Sequence, residues 1–188
     1  MKLKEKKIPA SAETERISKA AVNPVAALFL SAFFGFLAAG TRLGGNGAPL
    51  CTAITAAVPT FSGFAAFIGA MASFFAGGTF SAHVTEMIAM PAVIFARAML
   101  SSVFGKRIGP AASAGLAAAG YIICGLAASM AYKITAALIL AIIFRGAVCG
   151  AAAYFFAKLL AAAEDGSVFA SETKIALAAV YVLAVCML

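Results

Sequence analysis

Long apolar runs, interrupted by Gly, Pro and a few charges, divide residues 24–188 into seven segments: Pro24–Gly40, Ala48–Val58, Phe61–Gly77, Ala82–Phe104, Pro110–Met130, Ile134–Leu160 and Glu172–Leu188. Six of them are 17 to 27 residues long, the length a helix needs to cross a hydrocarbon core of about 30 Å. Ala, Leu, Ile and Phe run on without the polar alternation that a membrane β-barrel requires. The pattern predicts an all-α, polytopic membrane helical bundle of about seven hydrophobic segments, one of them short or re-entrant. That one is Ala48–Val58, whose eleven residues reach only about 17 Å as a helix.

The residues before it explain why it is short. In "TRLGGNGAPL", Thr41 to Leu50, the glycines Gly44, Gly45 and Gly47 turn the backbone where ordinary side chains would clash. Pro49 then sits in a first helical turn, where a missing amide costs nothing. Lipid does not tolerate exposed, unpaired backbone, so neighbouring helices must shield this corner.

The 188-residue chain is 64% hydrophobic with a mean hydropathy of +1.04, far above the roughly 45–50% apolar share of soluble domains. The net charge of +7 is unevenly spread: six of the fourteen cations lie in the first nineteen residues. Residues 1–23 therefore read as a basic cytoplasmic leader that is attracted to anionic lipid heads and not cleaved as a signal peptide. The leader lacks the interleaved aromatics of a nucleic-acid surface, and no nucleic-acid partner is expected. With seven crossings and an inner N-terminus, ten cations face inward and two, Arg42 and Lys133, face outward. If the short segment does not cross, the tally falls to seven against five. The positive-inside rule favours seven crossings.

Cys51, Cys124, Cys149 and Cys186 stand apart in apolar surroundings, which signals neither zinc nor disulfides. Gly146 and Gly150 form a literal G-x-x-x-G, and Gly115 with Ala119 a similar small pair, as helix-packing surfaces in lipid do. The connector from Ala161 to Ser171 carries Glu164 and Asp165, and Ser171 is placed to cap the last segment. That segment runs to Leu188 without a polar tail, as expected of an N-terminal portion of a longer protein.

Charges inside a bilayer are costly and often functional. Three qualify: Glu86, Arg97 and Arg145. Glu86 and Arg97 share a helix face but lie about 16 Å apart along the axis, too far to pair. Arg97 is able to snorkel, whereas Arg145, near mid-span, either neutralises Glu86 across the bundle or faces an internal cavity. His83 and Glu86 have i, i+3 spacing without a further ligand, so no metal is expected. The sequence contains no G-x-S-x-G, P-loop or H-E-x-x-H, and neither enzymatic activity nor a cofactor is expected of this chain.

"TRLGGNGAPLCTAITAA", then "GAVCGAAAYFFAKLLAA" from Gly146 to Ala162, then the acidic connector into "SETKIALAAVYVLAVCML", resemble in order and spacing the N-terminal membrane region of stage II sporulation protein E. The resemblance implies a multi-pass anchor in the bacterial cytoplasmic membrane with a cytoplasmic N-terminus. It also implies self-association into a homo-oligomer, placement with division-septum proteins, and a manganese-dependent serine phosphatase domain beyond Leu188. The alternative reading is a small transporter or channel, because short Gly/Pro-interrupted segments mark discontinuous helices around midplane sites.

Overall fold

A computed structural model describes residues 24–43, 46–47, 49–104, 108–130 and 134–164. The leader, Gly44, Gly45, Lys106, Arg107, Lys133, Asp165 and the segment 172–188 lie outside the described residues.

Six α-helices are described: α1 (Pro24–Ala39), α2 (Leu50–Ala57), α3 (Thr60–Gly77), α4 (Val84–Phe104), α5 (Pro110–Ser129) and α6 (Ala136–Glu164). Two two-residue strands, β1 (Arg42–Leu43) and β2 (Asn46–Gly47), pair antiparallel between α1 and α2, and a 3-10 turn, Phe80–His83, leads into α4. Four stretches are long and apolar enough to cross a membrane: Thr60–Gly77, Phe80–Val103, Pro110–Ser129 and Ala136–Ala162. A shorter apolar helix spans Ala27–Ala39.

Local sequence sets the boundaries. Gly78 ends α3 in the left-handed conformation at φ 61°, which glycine adopts without a Cβ penalty. Pro110 opens α5 in its first turn, where its missing N–H is no loss. Pro91 lies inside α4, an arrangement that packed membrane helices accommodate.

Small residues set the helix directions. Gly35 of α1 lies directly against the Ala66 backbone of α3, and Gly69 of α3 against the Ala32 backbone of α1. A Cβ on either glycine would overlap the opposing carbonyl, so the close approach requires glycine at both. The crossed order of these contacts makes α1 and α3 antiparallel. Phe74 beside His83 and Gly63 beside Ile94 make α3 and α4 antiparallel. Arg97 with Ser113 and Glu86 with Tyr121 do the same for α4 and α5. Gly146 packs on Ile122 and Ala118, and Gly150 on Ala114 and Ala118, so α5 and α6 are antiparallel too. The G-x-x-x-G surface thus meets α5 within this chain, whereas Gly115 and Ala119 face outward.

Because α1 and α3 are antiparallel neighbours, the chain leaves one and enters the other at the same end of the bundle. The stretch between them does not cross. β2 lies beside the 3-10 turn at the far end of α3, so the loop plunges inward and α2 climbs back. At eight residues α2 is about 12 Å long. The count of seven crossings favoured by the charge distribution therefore does not hold for this segment, which is re-entrant. Among the described residues, the fold is five long helices of alternating direction around a sixth.

α2 is the interior of the molecule. All eight of its residues are buried, whereas the four spanning windows are only 28–33% buried. Outward-facing Phe29, Phe61, Phe75, Phe95, Ile123 and Leu140 cover the bundle with apolar surface that water would not tolerate as one contiguous patch.

Candidate functional site

Removing α2 from water leaves its terminal peptide groups to be satisfied by the surrounding helices, because a helix this short has more orphan amides and carbonyls than internal bonds. α4 does this at the C-terminal end and places a second polar side chain toward the other. At the C-terminus, Arg97, 9% exposed, donates from Nη1 to the Ala56 carbonyl and, at 3.1 Å, to Ser113 Oγ. A cation at that end also matches the negative pole of the helix dipole. Near the N-terminus, Glu86 is 1% exposed and within electrostatic range of Cys51, in the first turn of α2. An anion there faces the positive pole. Pro49, buried and immediately before α2, accepts the first intrahelical bond, from Ala53 N–H at 3.2 Å.

α2 carries polar groups of its own as well. Cys51 Sγ approaches the Gly35 carbonyl at 3.8 Å, and Thr55 Oγ1 donates to the Thr52 carbonyl at 2.9 Å. The fully buried Thr52 hydroxyl has no hydrogen-bond partner among the described residues.

Glu86 is held from a second side. Tyr121 Oη of α5 donates to Glu86 Oε1 at 3.2 Å. His83 Nδ1 stands 4.0 Å from Glu86 Oε2, its ring stacked on Phe74 with centroids 4.2 Å apart. Arg145 of α6 is within electrostatic range of Glu86 and within hydrogen-bonding reach of the Tyr121 hydroxyl. The three intramembrane charges thus divide into two groups. Glu86, Tyr121, His83 and Arg145 gather around the start of α4, and Arg97 stands alone with Ala56 and Ser113 at the other end of α2.

The chain matches no family model, no curated protein and no solved structure.

Beside the first group lies a cavity of about 650 Å³, open to the outside of the bundle, between the 3-10 turn, the start of α4, the end of α5 and the start of α6. Arg145 and Tyr121 form its inner wall. Among the described residues, no group of three or more His, Cys, Asp or Glu is placed to hold a metal ion.

The sequence marked Glu86, Arg97 and Arg145, and the structure gives each a distinct setting. Tyr121 and Ser113 were not legible as partners, since one hydroxyl in an apolar helix carries no periodic signal. Of the turn residues, Gly47 pairs with Arg42 in the strand pair and Pro49 precedes α2. Gly35 and Gly69 were detectable in principle: "AFFG" and "AFIG" give Ala32/Gly35 and Ala66/Gly69 the same small-x-x-small spacing.

Proposed function

We propose that this chain is the membrane-anchoring and self-association module of a sporulation serine phosphatase resembling stage II sporulation protein E, inserted in the bacterial cytoplasmic membrane with its N-terminus inside. The family element rests on the resemblance of the ordered segments. The physical support is the filled centre of the bundle: α2 occupies the axis where a conduit would run, and Glu86 and Arg97, the charges that would line it, are turned to the ends of α2. A bundle whose interior polar groups serve its own backbone suits a static anchor.

Two measurements test this reading. In a sporulating bacterium, a fluorescent fusion of the chain should collect at the division septum, and Arg145→Leu should collect there equally. Proteoliposomes containing the chain should release trapped ions no faster than protein-free vesicles. Diffuse fluorescence together with protein-dependent ion release would overturn it.

One observation favours a small transporter or channel: a cavity walled by Arg145 in a bundle that also holds a short re-entrant helix. Under that reading Arg145→Leu abolishes solute movement and leaves membrane insertion unchanged.

A further inference from the structure

The cavity beside Arg145 is not required by the anchor reading. Its wall has two chemical halves. Val84, Leu138, Ala141, Ile142 and Phe144 supply apolar surface, and Arg145, Tyr121, Ser81, Thr85 and Ser129 supply polar groups. Among the described residues no carboxylate lines it, and Tyr121, which does, donates its hydroxyl proton to Glu86.

The available hydrogens favour an anion. A guanidinium has five N–H donors in a planar fork, and Arg145 lines the cavity as well as standing within reach of Tyr121. The Ser81 and Thr85 hydroxyls make no hydrogen bond among the described residues. The first turns of α4 and α6 contribute Val84, Thr85 and Leu138 to the wall; α4 continues from the 3-10 turn and Thr135 Oγ1 accepts from Leu138 N–H at 3.3 Å, so these helix starts offer the guest their dipoles and not open amides. The opposing carbonyl end of α5 is partly answered within the chain, since Ser129 Oγ donates to Leu126 O at 2.8 Å and Met130 N–H to Ala127 O at 3.2 Å.

We infer that this cavity binds the oxyanion of a phosphate group, with Arg145 as the principal donor and the Ser81 and Thr85 hydroxyls assisting, and that its apolar half accepts a hydrocarbon chain attached to that phosphate. The volume and the opening toward the bundle exterior suit part of an anionic phospholipid, while the polar half alone suits free phosphate. Arginine is the side chain whose fork fits such oxygens two at a time. The inference goes beyond the anchor reading and depends only on insertion in a membrane.

The test is native mass spectrometry of the detergent-purified full chain, delipidated and then offered phosphatidylglycerol, the phosphate-free diacylglycerol of the same chains, or inorganic phosphate. Retention of phosphatidylglycerol about tenfold above diacylglycerol is expected, a difference of one charge-assisted contact. Arg145→Gln should remove that preference, Arg145→Lys should keep part of it, and Lys158→Gln, which changes net charge equally but lies elsewhere on α6, should leave it intact. Inorganic phosphate that displaces the lipid supports a site that reads the oxyanion from either source; phosphate that fails to displace it supports recognition of the lipid as a whole. Equal retention of the two lipids by the wild type overturns the proposal, and this arm needs no variant to fold. Equal loss in Arg145→Gln and Lys158→Gln overturns it as well, by reducing the effect to bulk charge. Septal placement and ion release, which test the anchor reading, are unaffected by either result.

Discussion

Glu86 and Arg97, eleven residues apart on α4, stand at opposite ends of α2, the anion toward its first turn and the cation on the Ala56 carbonyl. Their axial separation of about 16 Å exceeds the roughly 12 Å length of α2 by about one helical turn. α2 and α4 run parallel, so the Arg97 guanidinium meets the negative pole of α2 and the Glu86 side chain lies toward the positive one. One helix thereby places a polar side chain near each end of the re-entrant helix.

Loss of Arg97 should expose this dependence. Arg97→Met leaves the Ala56 carbonyl and Ser113 Oγ without their donor in a dry interior, and a hydrogen bond involving a charged group contributes about 1.5–3 kcal/mol. Denaturant titration in detergent should show a loss of that order, with Arg97→Lys recovering part of it, since lysine keeps the charge without the fork. An unchanged midpoint for Arg97→Met would mean that water reaches the end of α2.

Tyr121→Phe removes the one hydroxyl that donates to Glu86 among the described residues and leaves the ring volume in place. A destabilisation of about 1–3 kcal/mol is expected for a buried acceptor left with fewer partners. In a Glu86→Gln background the same substitution should cost less, because the acceptor is no longer charged. A double-mutant cycle by thermal unfolding measures the difference.

Glycine substitutions should separate by position. Gly69→Ala places a methyl group into the Ala32 backbone, and forced overpacking costs about 1–3 kcal/mol. Gly115→Ala meets nothing within 4 Å and should be neutral or stabilising by up to about 1 kcal/mol from helix propensity. Unfolding midpoints of the two variants, side by side, check the α1–α3 contact.

Thr52→Val replaces a buried hydroxyl lacking a partner with a methyl group of similar size. The expected gain is about 1 kcal/mol or more from the removed desolvation cost. A loss of stability would show that the hydroxyl has a partner in the membrane.

Much of the helical layout was legible in the sequence because breakers stand where helices end. Phe61–Gly77 became Thr60–Gly77, and Pro110–Met130 became Pro110–Ser129. The path of α2 was not legible. Its eight residues are buried on every side, so no amphipathic stripe shows where it packs, and the cation count that argued for a crossing weighs loop charges and not which helices pack together. The roles of Glu86 and Arg97 were half legible. Spacing excluded a direct pair, but their shared counterpart lies some forty residues earlier in the chain, as the 41-residue separation between Ala56 and Arg97 shows. The cavity at Arg145 was one of two alternatives open from sequence, and the structure gives Arg145 both settings: range of Glu86 and a cavity wall.

The re-entry of the chain between α1 and α3 is tested most directly by sidedness. Thr41 follows α1 and Thr60 begins α3. With the native cysteines changed to alanine, Thr41→Cys and Thr60→Cys can each be offered a membrane-impermeant maleimide from either face of sealed, oriented vesicles. Labelling of both from the same face is predicted; labelling from opposite faces would make α2 a crossing and contradict the fold described above.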